Sequence, residues 1–273
     1  MSAPSLEAEL ARARDLEVER LADAIESIGF ECTRCGACCK GYETCDDGNA
    51  SDGDVDPPTR DGDGDSDRDT STDGEPHTAT VFPDEVRRLI DAANETLPAN
   101  ATGEVTSDGA ARVGDEREPY DWRDVARPMP YGLTDGPEGP TGETFEWALA
   151  TDDCGDCTFY RETDGQGACT VHDARPLVCR TYPFSVALGG TSQPMGEAVD
   201  AEGMVRAHEC EGLGRDISRA DAEELAEALK ERAVRELEEA IAVRDSYRPT
   251  DADGVVVHDS EGQKRPDGTA LDE

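Results

Sequence analysis

Hydrophobic positions along the chain gather into a few separated runs. Between about residues 5 and 28, Val18, Leu21, Ile25 and Ile28 recur at three- and four-residue spacing, which predicts a helix with one apolar face, and Gly29 stands where a left-handed C-cap belongs. In "VFPDEVRRLIDAANE", Pro83 suits a helix start and Val86, Leu89, Ile90 and Ala93 form one apolar face. The alternation of Phe145, Trp147 and Leu149 predicts a half-buried strand. Near the end, "SRADAEELAEALKERAVRELEEAIA" predicts an amphipathic helix, with a Ser218 to Asp221 capping box and Leu225, Leu229, Leu237 and Ile241 on one side.

Between these runs the pattern fails. Residues 46–76 have no apolar periodicity and too little hydrophobicity to offset their ordering entropy, which predicts a disordered acidic insertion. Their "DGDGD" is not a calcium loop: counted from Asp61 the sixth position is Ser66, and counted from Asp69 the twelfth is Thr80 rather than a bidentate Glu. Residues 97–142 give no assignable element, and the tail 247–273 is expected to be disordered. The organisation that follows is an N-terminal helix within 1–29, a cysteine-rich domain over 30–215 interrupted by the insertion, a C-terminal helix within 216–246, and the tail. The fold class is α+β: a small irregular domain stabilised by metal, with helices at its start and end.

Charge adds a second constraint. The formal net charge is −38, from 64 acidic and 26 basic residues, and the only lysines are Lys40, Lys230 and Lys264. The insertion accounts for −10 of this, leaving −28 over the other 242 residues, so the acidity is global. Such a surface stays soluble at molar salt, where the Debye length shrinks to about 3 Å and self-repulsion is screened. This reads as a cytoplasmic protein of a halophile with an acidic proteome. No basic patch is available for phosphate contacts, so nucleic acid is not expected as a direct ligand. No run approaches the roughly 18 apolar residues of a membrane span, and "MSAPSLEAELARARDLEVERLAD" lacks the basic start and apolar stretch of a signal peptide. Neither membrane nor export is expected, and the sequons at Asn49, Asn94 and Asn100 are then chance matches.

Ten cysteines in a reducing compartment point to metal or redox chemistry rather than to disulfides. Four of them, Cys32, Cys35, Cys38 and Cys39, lie in "FECTRCGACCK" with the spacing C-x2-C-x2-C-C. A C-x2-C turn lets two thiolates converge while its amides stabilise their charge. Three such ligands from one loop and a fourth from elsewhere is an iron–sulfur pattern, whereas zinc sites more often pair one C-x2-C with a remote second pair. Cys38 and Cys39 are expected to face opposite sides of an extended segment and so to serve different sites. Cys157, Cys169, Cys179 and Cys210 can supply the remaining ligands, for two four-thiol sites or for one site plus buried or redox thiols. Arg175 and Arg180 flank these downstream thiols and could depress their pKa or answer a salt bridge. His77, His172, His208 and His258 are scattered; only His208, two residues before Cys210, is a candidate neighbour of the site. No carboxylate dyad, phosphate loop, G-x-S-x-G or radical-SAM cysteine triplet can be argued.

The residues "CTRCGACC" at 32–39, "CTFY" at 157–160, "GACTVHDARPLVCRTYPF" at 167–184 and "CEGLG" at 210–214 resemble the YkgJ-type CxxCxxCC cysteine-cluster family, named for zinc or iron chelation. The resemblance implies Cys32, Cys35, Cys38, Cys39, Cys157, Cys169, Cys179 and Cys210 as metal ligands, leaving Cys45 and Cys154 as extras; His172 stands where a Tyr is common in the family. The function expected first, from the loop spacing, is an iron–sulfur protein working in electron transfer or a redox reaction with a redox or protein partner; the family's name itself records chelation, and some members are labelled iron–sulfur oxidoreductases. The alternatives are a non-enzymatic zinc module acting as scaffold or metal handler, and an enzyme related to protein lysine methylation, since a flagellin lysine-methylating enzyme is a distant relative.

With only 5% aromatic residues, metal binding is expected to supply much of the folding free energy. Chelation should therefore unfold the chain around residues 30–45 and 154–214. Circular dichroism and a thermal melt unchanged by chelation would refute this.

Overall fold

A computed structural model describes residues 5–41, 78–96, 118–137, 139–163, 166–188, 198–200 and 203–271. The expected acidic insertion at 46–76 and Cys45 lie outside the described residues. In chain order the elements are α1 (Leu6–Arg14), α2 (Val18–Ile28), a 3-10 turn (Ala37–Cys39), β1 (Thr80–Val81), α3 (Pro83–Thr96), α4 (Trp122–Val125), β2 (Ala126–Pro128), β3 (Leu133–Gly136), β4 (Gly139–Thr144) and β5 (Trp147–Leu149). Then follow β6 (Tyr160–Thr163), β7 (Gln166–Cys169), a 3-10 turn (His172–Ala174), α5 (Leu177–Thr181), β8 (Phe184–Val186), β9 (Ala198–Asp200), β10 (Val205–His208), α6 (Arg219–Ser246), β11 (Val255–Asp259) and β12 (Gly262–Lys264). The fold is α+β, as the periodicity predicts.

The 28-residue helix α6 organises one of two cores. Its buried Ala222, Ala226, Leu229, Ala233 and Leu237 pack against Leu10 and Ala13 of α1, Leu21, Ala22 and Ile25 of α2, and the sheet β8-β10-β9. The alanines let helix backbones approach closely, and the leucines fill the space between. Ser218 caps α6 by accepting from the Asp221 N–H at 3.1 Å; its own hydroxyl meets the Asp221 carboxylate at 2.6 Å, so only half of the expected capping box forms.

The single N-terminal helix expected over 5–28 is instead two. The chain breaks after Arg14, Leu16 turns into the core, and Lys230 of α6 donates to the freed Leu16 carbonyl at 2.6 Å. The break lets both short helices lay their apolar faces on α6, which one straight helix could not do.

The second core joins α3, the sheet β1-β5-β2 and the segment Cys157–Tyr160 around Trp147. All three residues of β5 are buried, while Phe145 remains exposed outside it, so the expected half-buried alternation is replaced by a central strand covered on both faces. The unassigned stretch 97–142 contains α4, β2 and part of the β3/β4 hairpin among its described residues.

Nor is the tail disordered: β11 runs parallel to β4 and pairs antiparallel with β12, Val255 opposite Gly142 and Val257 opposite Lys264. Its anchor is electrostatic, which apolar periodicity does not register. Asp259, 1% exposed, accepts from Trp147 Nε1 at 2.9 Å and from the buried Lys264 Nζ at 2.9 Å, and Lys264 also meets Glu261 at 2.6 Å. Asp259→Ala strands the Lys264 ammonium against one remaining partner and leaves the indole N–H unsatisfied. It should cost about 3 kcal/mol, read as a shift in the denaturant midpoint at constant salt.

Candidate metal centre

The eight cysteines that match the resemblance are free thiols, brought together from both halves of the chain. The thiol loop, residues 31–40, forms no regular element before its 3-10 turn and is fixed by backbone hydrogen bonds to three cysteine-bearing segments. Glu31 N–H donates to Gly212 O at 3.0 Å, beside Cys210; Gly167 N–H donates to Arg34 O at 2.9 Å, on the hairpin that carries Cys169; and Cys157 N–H donates to Cys39 O at 2.8 Å. The bridge between Phe30 and Leu213 and the edge-to-face stack of Phe30 on Phe184, centroids 5.7 Å apart, fix where the loop begins.

Within the loop the backbone is sharply bent: Arg34 has φ 59° and Gly36 φ 81°, both in the left-handed region. Gly36 has no alternative residue: a Cβ there would lie 2.2 Å from the Tyr160 hydroxyl. That hydroxyl donates to Glu162 at 2.7 Å, and Lys40, immediately after Cys39, pairs with the same carboxylate at 2.5 Å, tying the end of the loop to β6.

Cys38 and Cys39 do not face opposite sides. They lie in the 3-10 turn, where successive side chains are separated by about 120° rather than by the 180° of a strand, and their sulfurs stand 3.8 Å apart. Cys38 is the hub of the cluster. Its ionisation is coupled to that of Cys157, Cys169, Cys179 and Cys210, and its own pKa is pushed up, foremost by the hydrogen bond with Cys39. Around it the other thiols fall into two neighbourhoods. Cys210 senses Cys38, Cys35 and Cys32, whereas Cys179 senses Cys157, Cys38 and Cys169. Burial raises Cys157 to about 11, and raises Cys169, Cys179 and Cys210 as well. Two features oppose this: Arg175 acts on Cys38, Cys169 and Cys179, and the Gly212 N–H donates to the Cys210 sulfur at 3.4 Å. Arg180 is exposed on α5.

These groups are gathered but not closed: among the described residues no three metal-ligating side chains converge on one point. Cys32 and Cys38 are exposed, which leaves them rotamer freedom for closure. A donor set of thiols alone is soft and suits Zn2+ or an iron–sulfur centre, not Mg2+ or Ca2+. Cys154 is set apart, since it is disulfide-bonded where reduced thiols were expected throughout. Its turn is closed by the Asp152 carboxylate, which accepts from the Cys154 and Asp156 amides. His208 is a buried structural residue, its Nε2 2.9 Å from Ser185 Oγ. His258 pairs with Glu143 at 2.9 Å in the C-terminal sheet, and His172 is exposed beside Asp173; the expected His77 lies outside the described residues.

Side chains of no obvious chemistry hold the downstream thiols. Cys179 rides on α5, whose first amide, Leu177 N–H, donates to the buried Glu85 of α3 at 2.9 Å. Burial raises the pKa of Glu85. At the other end of α5, Arg232 of α6, 1% exposed, donates to Thr181 Oγ1 at 3.0 Å. Arg232 was visible in principle, since it falls between Leu229 and Ala233 on the buried face of α6. Glu85 left no signal, because an acidic residue in a first helical turn is ordinary. Tyr182 donates to the Glu209 carbonyl and so steadies the approach to Cys210.

Two outcomes follow. Gly36→Ala should lower both metal per chain and the melting temperature, since it combines a collision with Tyr160 with a left-handed backbone costing about 1–2 kcal/mol for an L-residue. The raised thiols also set a pH dependence. A folded-state pKa above the ordinary value favours the protonated native form, so the metal-free protein should lose stability as pH rises from 9.0 toward the value near 11 at Cys157. Metal uptake, which must displace these protons, should strengthen over the same rise. Melts and chelator competition across the pH series measure both.

Comparison with curated proteins and with solved structures gives no match. A family model matches residues 91–211, a stretch that holds Cys157, Cys169, Cys179 and Cys210 and begins downstream of the thiol loop. Over that segment the chain is similar to the CxxCxxCC family, described as "Putative zinc- or iron-chelating domain".

Proposed function

We propose that the chain carries an iron–sulfur cluster on Cys32, Cys35, Cys38 and Cys210 and uses it in electron transfer or a redox reaction. One observation carries this reading: Cys210 is docked against the start of the C-x2-C-x2-C loop through the Glu31–Gly212 hydrogen bond and senses the thiols of all three loop cysteines. Three ligands from one loop and a fourth from a remote segment is the arrangement iron–sulfur clusters favour. A cluster supplies one-electron chemistry. The chain's own residues supply the amide-rich turn and the Gly212 N–H, donors that stabilise negative charge on sulfur. A redox protein would meet the centre at its exposed edge, Cys32 and Cys38. Nucleic acid and membrane have no part in this reading.

A second reading has its own support. Cys157, Cys169 and Cys179, with Cys39 beside Cys157, pack against the apolar core around Phe159 and Val171. Four thiols in such surroundings suit a closed structural zinc site. The two readings are compatible as separate centres within one thiol cluster.

Iron, zinc and acid-labile sulfide per chain, measured on protein purified anaerobically in high salt from a halophilic host, test each of them. The proposal expects iron with matching sulfide and visible thiolate-to-iron absorption that Cys210→Ser abolishes. Zinc without sulfide would replace the redox reading by a structural one. Iron content and spectrum unchanged in Cys210→Ser would overturn the ligand assignment.

A further inference from the structure

We infer that the Thr33 hydroxyl donates a hydrogen bond to a metal-bound sulfur of the Cys32–Cys35 turn and is a positioning residue for the centre. The inference rests on the metal-binding reading above. Thr33 lies between the two cysteines of the first C-x2-C, and its Oγ1 is sealed from solvent with no hydrogen-bond partner among the described residues. Buried hydroxyls are nearly always satisfied, and one left unmet is a cost the fold must answer elsewhere.

The turn offers few ways to answer it. The Arg34 carbonyl already receives the Gly167 N–H at 2.9 Å, and the Gly36 carbonyl receives the Cys39 N–H at 2.8 Å. Turning the residue outward is restricted as well. Arg34 is held at φ 59° by that contact with the β6/β7 hairpin, and a β-branched side chain has few χ1 choices. The soft acceptors that flank it in sequence are the sulfurs of Cys32, its neighbour, and Cys35, two residues on. A neutral thiol accepts weakly, whereas an ionised group makes a hydrogen bond roughly twice as strong as a neutral one. The partner for Thr33 therefore arrives with the metal, which ionises the thiols it binds. The hydroxyl draws charge from the sulfur, and this favours retention of the centre and, where that centre is iron, its reduced form.

The test uses the full chain loaded with metal and compares Thr33→Val, isosteric without the hydroxyl, with Thr33→Ser, which restores it, and Thr33→Ala, which removes the hydroxyl and the branch together. Metal loss to an excess of chelator is followed for each. Thr33→Val and Thr33→Ala should lose metal about tenfold more readily, the loss typical of removing an outer-shell partner, while Thr33→Ser should stay close to the parent chain. If iron is bound, the reduction potential should fall in Val and Ala and recover in Ser. Equal retention and an unchanged potential in all variants would overturn the inference. So would an equal loss of stability in the metal-free melts of Val and Ala, which would make the hydroxyl structural. A parent chain that purifies with neither iron nor zinc overturns the metal reading itself, and the inference with it.

Discussion

The structure depends on docking an irregular, glycine-bent loop onto three distant segments by main-chain hydrogen bonds. The loop spans only the ten residues from Glu31 to Lys40, yet its Glu31, Arg34 and Cys39 meet Gly212, Gly167 and Cys157 through amides and carbonyls that carry no sequence preference. This accounts for much of the architecture around them. The β6/β7 hairpin exposes Gly167 at the point of contact, where a Cβ would come within 2.7 Å of the Tyr160 ring and 3.0 Å of the Arg34 carbonyl. Gly212 likewise lies where a Cβ would meet the Glu31 carbonyl at 2.2 Å. The loop is accepted only because its neighbours have given up side chains.

Against that attraction stands the mutual repulsion of the thiols as they ionise. Eight thiols in one region cannot be ionised together without a cation, and burial pushes several of them upward in pKa. The protonated cluster is the form that the metal-free fold tolerates, and a soft metal is the natural replacement for those protons. Arg175 is the cation that the chain itself places within reach, and it is held at the rim by donation to the His172 carbonyl at 3.0 Å. Several other arginines, among them Arg14, Arg87, Arg219 and Arg244, form surface pairs with the acidic exterior, which add little stability individually and less at high salt.

How much of this was legible in the sequence depends on what kind of force placed each part. Helices α3 and α6 follow from apolar periodicity because each buries one face against a continuous core. The thiol cluster was legible because C-x2-C-x2-C-C has no economical alternative use. The break between α1 and α2 was not, since it answers to packing on α6 and to a lysine 214 residues away. The β11/β12 hairpin escaped because its anchor is a buried ion pair and an indole hydrogen bond. Strands of three to five residues with Gly and charged neighbours look like loop. The geometry of Cys38 and Cys39 turned on whether two residues are extended or helical, a choice made by the Gly36 bend and by the contact of Cys39 with Cys157.

The three lysines of an otherwise arginine-based chain have a shared position that matters in practice. Lys40 closes the thiol loop on Glu162, Lys230 fills the gap between α1 and α2, and Lys264 lies buried under the C-terminal hairpin. Each is a point charge reaching into a seam, where a flat guanidinium fits less readily. Amine-directed reagents therefore find no idle lysine side chain on this molecule. Acylation, amine cross-linking or coupling to a surface through lysine would act at its joints, and lysine reactivity would report whether those joints are closed.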